Sequence, residues 1–182
     1  MPAWEEEISA AEAEGVKITY LSAPQEVLTQ DGKITGVRCI RMELSEPDSS
    51  GRKRPIPIPG SEYDIAIDQE NPDHLYAATE AGLFTSTDGG ENWQNVSGEL
   101  NGKEIHTIAI NPNARNELFV GVHRDGVYRS LDGGQSWRHM VAGLEPNGSM
   151  HDIVFDPTNP SVVYASDIYS GVYRSTDSGE IW

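Results

Sequence analysis

Apolar and polar residues alternate in short runs along most of this chain. Between residues 105 and 142 the runs are Ile105–Ile110, Glu117–His123, Gly126–Leu131 and Ser136–Ala142. Asn, Asp, Gly and Pro separate the runs, and the runs themselves are rich in β-branched and aromatic residues. This pattern predicts four short antiparallel β-strands and not helices.

The same pattern occurs three times, each time around one octapeptide. The copies read STDGGENW, SLDGGQSW and STDSGEIW and begin 44 and then 45 residues apart. A repeat of about 40–45 residues with four strands is typical of a β-propeller blade. The predicted fold is therefore mainly β. It is a partial propeller with two complete blades and most of a third, over about residues 64–100, 105–143 and 151–182. Because the last copy ends on the last residue, we expect a chain truncated within its repeats.

Each octapeptide is predicted to fold as a turn held by its own side chains. Its Asp can accept hydrogen bonds from backbone N–H groups across the turn, and its second glycine is the position expected to need a positive φ. The Trp is expected to be buried between sheets. We therefore assign structural roles to the following residues: Ser86, Asp88, Gly90, Trp93, Ser130, Asp132, Gly134, Trp137, Ser175, Asp177, Gly179 and Trp182.

The motif Ser/Thr-x-Asp-x-Gly-x-x-Trp in successive blades resembles the Asp-box, or BNR, repeat family. The resemblance covers about residues 64–182. This family includes sialidases, xyloglucanase-type glycoside hydrolases, sortilin-type receptor domains and the photosystem II assembly factor. Catalytic and non-catalytic members share the box, so the resemblance implies a fold and leaves the activity open.

Residues 1–63 contain no copy of the repeat. Pro2–Glu14 has apolar residues at helical spacing, whereas Val16–Leu21, Glu26–Thr29 and Ile34–Leu44 alternate as strands. The sequence therefore predicts a small α+β fragment before the propeller, as a separate segment of residues 1–63 followed by 64–182.

Two stretches of that segment carry a second resemblance: MPAWEEEISAAEAEGVKI and LSAPQEVLTQDGKITGVRCIRMELSEPDSSGRKRPIPIPGSEY. They are similar to the small subunit of glutamate synthase and related FAD- and NADPH-dependent oxidoreductases. The chain has no G-x-G-x-x-G fingerprint, and its lone Cys39 cannot hold an iron–sulfur cluster. We therefore expect no bound cofactor. The simplest interpretation is a junction near residues 60–65. A gene fusion, an assembly artefact and a fragment truncated at both ends are all compatible with it.

The formal net charge is −16, which argues against nucleic acid as a partner. The sequence shows neither an apolar run of membrane-spanning length nor a signal peptide, so the chain as written is cytoplasmic and the compartment of its parent stays open. A carbohydrate or a protein is the expected ligand of the parent propeller. Self-association is also expected, because open blade edges and uncovered sheet faces favour it.

His106 and His151 occupy equivalent repeat positions near the start of first strands, and Asp152 follows one of them. The first strand of a blade lines the central channel, so these side chains are candidates for a shared site. Common ancestry of the repeats also explains the pairing.

We predict no catalytic residue, cofactor site or metal site, and a non-catalytic binding or scaffold role. Two alternatives stay open. One is a fragment of a sialidase- or xyloglucanase-type glycoside hydrolase. The other is a truncated oxidoreductase joined to propeller repeats.

Overall fold

A computed structural model describes residues 22–30, 32–47 and 51–182. These residues form three antiparallel sheets and one short 3-10 turn at Gly98–Leu100, so the predicted mainly β fold is confirmed. The helix predicted at Pro2–Glu14 and the strand predicted at Val16–Leu21 lie outside the described residues. Within the described ranges, no helix is long and apolar enough to cross a membrane.

The first sheet combines a hairpin with the first blade. Its six strands, in spatial order, are β1 (Ser22–Gln30), β2 (Lys33–Leu44), β3 (Pro55–Ile67), β4 (Leu75–Thr79), β5 (Gly82–Ser86) and β6 (Gln94–Asn95). We call β1 and β2 the N-terminal hairpin. The last residues of β3 together with β4, β5 and β6 form the first blade.

Strand β3 runs through the junction predicted near residues 60–65. Ala66, near its end, lies between Gly36 of β2 and Tyr76 of β4. A side chain at Gly36 would meet a backbone carbonyl oxygen at 2.4 Å, so glycine permits this close pairing. The N-terminal hairpin thus adds two strands at the β3 edge of the first blade. Whether the two segments are separate domains stays a prediction.

The second and third sheets are the second and third blades. The second blade has β7 (Ile105–Ile110), β8 (Leu118–Val122), β9 (Gly126–Ser130) and β10 (Arg138–Met140). The third blade has β11 (Met150–Phe155), β12 (Val163–Asp167) and β13 (Gly171–Ser175). Each strand pairs antiparallel with the next along the chain. The predicted two complete blades and most of a third are therefore confirmed.

Two apolar cores lie between successive blades. The core between the first two contains Tyr76, Leu83 and Leu118, and the core between the last two contains Phe119 and Met150. Strand β8 is buried along its whole length, because alternate residues of a strand point to opposite faces and β8 lies between both cores. Each blade therefore depends on its neighbour for burial of its apolar faces.

The octapeptide turns have positive φ at two successive positions. At the second glycine of each copy φ lies between 82° and 95°: Gly90, Gly134 and Gly179. At the residue before, φ lies between 56° and 71°: Gly89, Gly133 and Ser178. The sequence predicted a positive φ at the second glycine alone, so that prediction is incomplete. Serine holds the left-handed conformation at Ser178, where an L-residue is strained.

Candidate functional site

A groove of about 730 Å³ follows the first strands of the three blades. It is formed by the N-terminal hairpin together with β3, β7, β11 and the loops that follow these three strands. Clefts of this size are typical of ligand-binding sites. We call it the inner groove.

Carboxylates predominate among the charged residues of the inner groove. The acidic lining residues are Glu26, Asp64, Asp68, Glu70 and Asp152. The positively charged lining residues are Lys33 and Arg115. A concave surface with a surplus of one charge concentrates its field and attracts ligands of opposite charge.

An ion pair between Arg38 and Asp64 joins the N-terminal hairpin to the first blade. The two residues face each other in the register of β2 and β3. Arg38 donates from Nε and Nη2 to the two Asp64 carboxylate oxygens, at 2.8 and 2.9 Å. The Asp64 side chain is only 1% exposed. The bidentate bond raises the pKa of Arg38 and compensates a charge that is costly to bury.

Asp152 of the third blade stands near the same guanidinium, with 3.8 Å between Arg38 Nη2 and Asp152 Oδ1. The Asp152 side chain is 52% exposed, yet it lies in the groove wall, where protein displaces part of its water. This loss of solvation raises the pKa of Asp152, and the charge of Arg38 opposes the rise. Asp152 is therefore better suited to hold a proton than an aspartate in water.

The loops after the three first strands are closed by equivalent side chains. In each loop a side-chain oxygen accepts a hydrogen bond, at 2.8–3.0 Å, from the backbone N–H two residues later: Asp68, Asn111 and Asp156. Asp68 Oδ2 also accepts a hydrogen bond from Arg115 Nη1 at 3.3 Å. Asp68 is therefore already engaged in a turn and in an ion pair between the first two blades.

The structure brings His106 and His151 together, with 4.3 Å between their ring centroids. Neither ring is among the described lining residues of the inner groove, whereas Asp152 is. The predicted channel-lining role of the two histidines stays a prediction. Glu104 and His123, which the sequence analysis did not single out, lie beside His106.

Sequence reasoning also missed Arg38 and Asp64. Opposite charges that face each other across two strands are a usable signal once the register is known. The register between β2 and β3 depends on a long connection, residues 45–54, whose length and composition do not specify it.

The three octapeptide turns share one hydrogen-bond pattern. The Ser hydroxyl donates to the Asp carboxylate at 2.7–2.8 Å and accepts from the N–H of the second glycine at 2.8–2.9 Å. The same carboxylate accepts from a backbone N–H four residues later at 2.9–3.0 Å. These bonds lie within each turn and are compatible with the structural role predicted for the box residues. The role itself stays a prediction.

The same bonds keep the box carboxylates ionised. Hydrogen bonds from Asn92 and Ser86 lower the pKa of Asp88 to about 2. Hydrogen bonds from Ser136 and Ser130 lower the pKa of Asp132 to about 2. The pKa of Asp177 is lowered too, chiefly by the N–H of Ile181. Carboxylates that are bound in this way are poorly suited to accept or donate a proton in catalysis near neutral pH.

The Trp rings of the second and third copies lie against the preceding blade. Trp137 packs on the core between the first two blades. Trp182 packs on the core between the last two, with its ring nearly perpendicular to Phe119 at a centroid distance of 6.4 Å. Trp93 is half-buried and is not a member of either core of the described residues. The two rings thus link one blade to the next.

Comparison with family models matches residues 81–182 to the Sortilin-Vps10 model, described as sortilin, neurotensin receptor 3. The matched segment contains the whole second and third blades and the last strands of the first. It is more than half of the chain.

Solved structures with a propeller fold are similar to this chain. An ancestral GH74 enzyme gives a TM-score of 0.60 at 22% identity, over 87% of this chain and 23% of its own. The GH74 enzyme of Niastella koreensis gives 0.55 at 19% identity, over 80% and 27%. YCF48 from Cyanidioschyzon merolae gives 0.54 at 16% identity, over 84% and 50%. At these identities the likeness establishes the fold alone.

Curated relatives of a different kind match a shorter part of the chain. The beta subunit of the NADP(+)-dependent formate dehydrogenase of Moorella thermoacetica is 47% identical over 68 residues, 37% of this chain and 10% of that protein. The glutamate synthase (NADPH) small chain of Azospirillum brasilense is 41% identical over 68 residues, 37% of this chain and 14% of that protein. The resemblance to these oxidoreductases is confirmed. The chain spans about a tenth of the length of these relatives.

Proposed function

The chain belongs to the Sortilin-Vps10 family through residues 81–182, and from this premise we propose that it is a non-catalytic binding module. Its inner groove takes a cationic segment of a partner protein. The family description names a receptor, and a receptor binds its ligand without transforming it. The observation that carries the proposal is the surplus of carboxylates along the inner groove.

The lining of the groove favours a cationic protein segment over a carbohydrate. Glu26 and Glu70 are exposed, with 76% of the Glu70 side chain accessible. Glu70 also forms a long ion pair with Arg115, at 3.9 Å, which a cationic ligand would replace. Phe155 is the aromatic side chain among the described lining residues, and only 4% of it is exposed. A sugar therefore finds little ring surface on which to stack, whereas lysine or arginine side chains find carboxylates.

The test is the fluorescence anisotropy of a labelled lysine-rich peptide titrated with the chain, beside a glutamate-rich peptide of equal length. Glu26→Gln and Glu70→Gln should each weaken binding of the lysine-rich peptide by about two- to fivefold, as expected for loss of one exposed ion pair. Glu99→Gln removes an exposed carboxylate outside the groove lining and should change nothing. Equal binding of the two peptides, or an equal loss with Glu99→Gln, would refute the proposal.

The box residues act in this proposal as the scaffold of the blades. Their side-chain hydrogen bonds stay within each turn, and two of their Trp rings pack on a neighbouring blade. The boxes therefore hold the first strands at a fixed spacing around the groove and take no direct part in ligand binding.

A glycoside hydrolase of sialidase or xyloglucanase type is the second candidate function. Asp152 favours it, because a raised pKa and exposure to a groove suit a general acid. A partner carboxylate across the cleft is also required. Asp64 is bound to Arg38 and Asp68 to Arg115, so neither is free for that role.

Hydrolysis is tested by incubation with xyloglucan oligosaccharides and with a sialoside, followed by mass spectrometry of the products. We expect both substrates to remain intact. Hydrolysis that disappears in Asp152→Asn would replace the binding proposal with the hydrolase.

An oxidoreductase role would require FAD or NADPH, and the described residues do not fit these groups. A dinucleotide is held at the N-terminus of a helix that follows a glycine-rich turn. In the described part of the chain the hairpin strands are antiparallel, and the helical structure is the three-residue turn Gly98–Leu100. We expect purified protein without flavin absorbance.

Self-association through open edges is part of the same proposal. Strand β13 is the outermost strand of its sheet among the described residues. Apolar side chains near it are largely exposed: Ile168, Tyr169, Val172 and Ile181. Sedimentation velocity over a concentration series should show dimers or larger species, and Val172→Lys should shift the distribution toward monomer.

A further inference from the structure

We propose that Glu104, His106 and His123 bind one divalent cation of the zinc type. One ligand atom from each residue lies within 4.8 Å of the other two. His106 Nε2 lies 3.0 Å from Glu104 Oε1, and the rings of His106 and His123 are 5.1 Å apart. We call these three residues the histidine site. It is distinct from the inner groove, whose described lining contains none of the three.

Strand irregularities place the histidines side by side. The pairing of β7 with β8 shifts register around His106, which is left unpaired. The pairing of β11 with β12 shifts in the same way around His151. A bulge re-aims a side chain, and bulges are over-represented beside functional sites. Both blades thus direct an imidazole toward their common boundary.

The backbone holds the other two ligands in place. The N–H of His123 donates to the carbonyl oxygen of Glu104 at 2.9 Å. His123 Nδ1 lies 3.3 Å from the hydroxyl of Ser149. In metal sites, a hydrogen bond at the ring nitrogen that does not bind the metal orients the imidazole, and Ser149 is placed to do this for His123. The site is therefore assembled from positions that the β7–β8 pair already fixes.

His106 carries an atom that lacks a hydrogen-bond partner. Its side chain is only 9% exposed, and its Nδ1 is buried without a partner within the described part of the chain. Buried polar atoms are nearly always paired, and an unpaired one is costly. Nε2, on the other side of the ring, is the nitrogen that faces Glu104, so it is the metal ligand from His106. The unpaired Nδ1 shows only that this buried ring lacks a stabilising partner among the described residues.

The donor set selects the metal. Two imidazoles and one carboxylate suit Zn²⁺, whereas Mg²⁺ and Ca²⁺ prefer oxygen ligands alone. Zinc bonds of about 2.0–2.1 Å place tetrahedral ligand atoms about 3.3 Å apart. Side-chain rotations that move the ligand atoms by on the order of 1 Å bring the site to that spacing. Three protein ligands leave a fourth position for water.

The experiment is calorimetric titration of the untagged chain with ZnCl₂ after treatment with a chelator. We expect one Zn²⁺ per chain. His106→Ala and His123→Ala should each weaken binding by more than the roughly 10–100-fold that loss of an outer partner costs. His74→Ala removes a histidine of the first blade, and we expect it to leave zinc affinity unchanged. Excess Mg²⁺ should not displace the zinc.

Two results would overturn the proposal. One is a stoichiometry below one zinc per chain. The other is a zinc affinity of the His106→Ala and His123→Ala variants equal to that of the unchanged chain or of His74→Ala. Circular dichroism of each variant shows whether it is folded. Should His106→Ala fail to fold, Glu104→Gln decides, because its side chain is 37% exposed and is replaced by one of similar shape. Unchanged affinity in folded Glu104→Gln and His123→Ala would refute the site.

Discussion

The N-terminal hairpin and the second blade are both antiparallel β-structure, but different interactions hold them. Strand β8 of the second blade is buried on both faces between two apolar cores. In the hairpin, Val27 and Ile34 are each 55% exposed, and the Arg38–Asp64 ion pair joins it to the first blade. The repeats are therefore fixed by burial between neighbours, whereas the hairpin depends on backbone pairing and on an ion pair whose carboxylate is buried.

Phe119→Ala should have the largest effect on stability. Phe119 is fully buried and meets the rings of Phe155 and Trp182 at centroid distances of 5.5 and 6.4 Å. Loss of a buried aromatic ring costs about 3–5 kcal/mol of unfolding free energy. Val27→Ala in the hairpin should cost at most about 0.5 kcal/mol. Urea unfolding followed by circular dichroism measures both, and equal losses would abolish the contrast between the two regions.

Arg38→Met should be the next most damaging change, because it leaves the buried Asp64 carboxylate without its partner. Removal of one member of a buried pair costs about 3–5 kcal/mol, and the lower end applies because Arg38 is 22% exposed. Arg41→Met is the matched control on the same strand. Arg41 pairs with Glu80, and each of these side chains is 45% exposed. This pair should contribute less than about 1 kcal/mol to the unfolding free energy.

A second change separates lost charge pairing from lost packing. Adding Asp64→Asn to Arg38→Met removes the unpaired charge and should restore part of the unfolding free energy. Failure of the double variant to recover would mean that the guanidinium acts through its packing and not through its charge.

Ser130→Ala tests the turn that the repeats share. The Ser130 side chain is 1% exposed, donates to Asp132 and accepts from the N–H of Gly134. Its loss leaves that buried N–H without a partner, at a cost of about 1–3 kcal/mol. Ser136→Ala removes an exposed hydroxyl from the same turn and should cost less. Thermal unfolding of both variants decides whether the box stabilises the blade.

Acid should weaken the blades through the same turns. The pKa of Asp88 and of Asp132 is about 2 in the folded chain, below the usual value of about 3.9 for Asp. The folded state therefore binds fewer protons, so the stability that these carboxylates contribute is complete above about pH 4 and is lost as the pH falls through 2. Asp132→Asn should flatten the decline of Tm between pH 4 and pH 2. If Tm falls equally steeply with pH in Asp132→Asn and in the unchanged chain, the ionised Asp132 carboxylate does not stabilise the blade.

The repeats could be predicted from the sequence because their determinants are local. The four strands of the second blade lie within two residues of their predicted bounds, since turn residues and alternation mark each end. Contacts that the repeat does not mark could not be predicted. The Arg38–Asp64 pair depends on strand register across a long connection, and the meeting of His106 with His123 depends on a bulge that alternation does not reveal. The repeat marked His106 and His151 as candidates for one site, but not the bulges at both positions.

Ser178→Gly should have the smallest effect and the opposite sign. Ser178 has a φ of 56°, whereas glycine occupies the equivalent position of the other copies. The left-handed conformation costs an L-residue about 1–2 kcal/mol, and the greater flexibility of glycine in the unfolded chain offsets about 0.5–1 kcal/mol of that gain. The net stabilisation should be about 0.5–1 kcal/mol. The reverse change, Gly133→Ser, at a φ of 71°, should destabilise by a similar amount. If both substitutions shift the urea midpoint in the same direction, backbone strain does not distinguish the third turn from the other two.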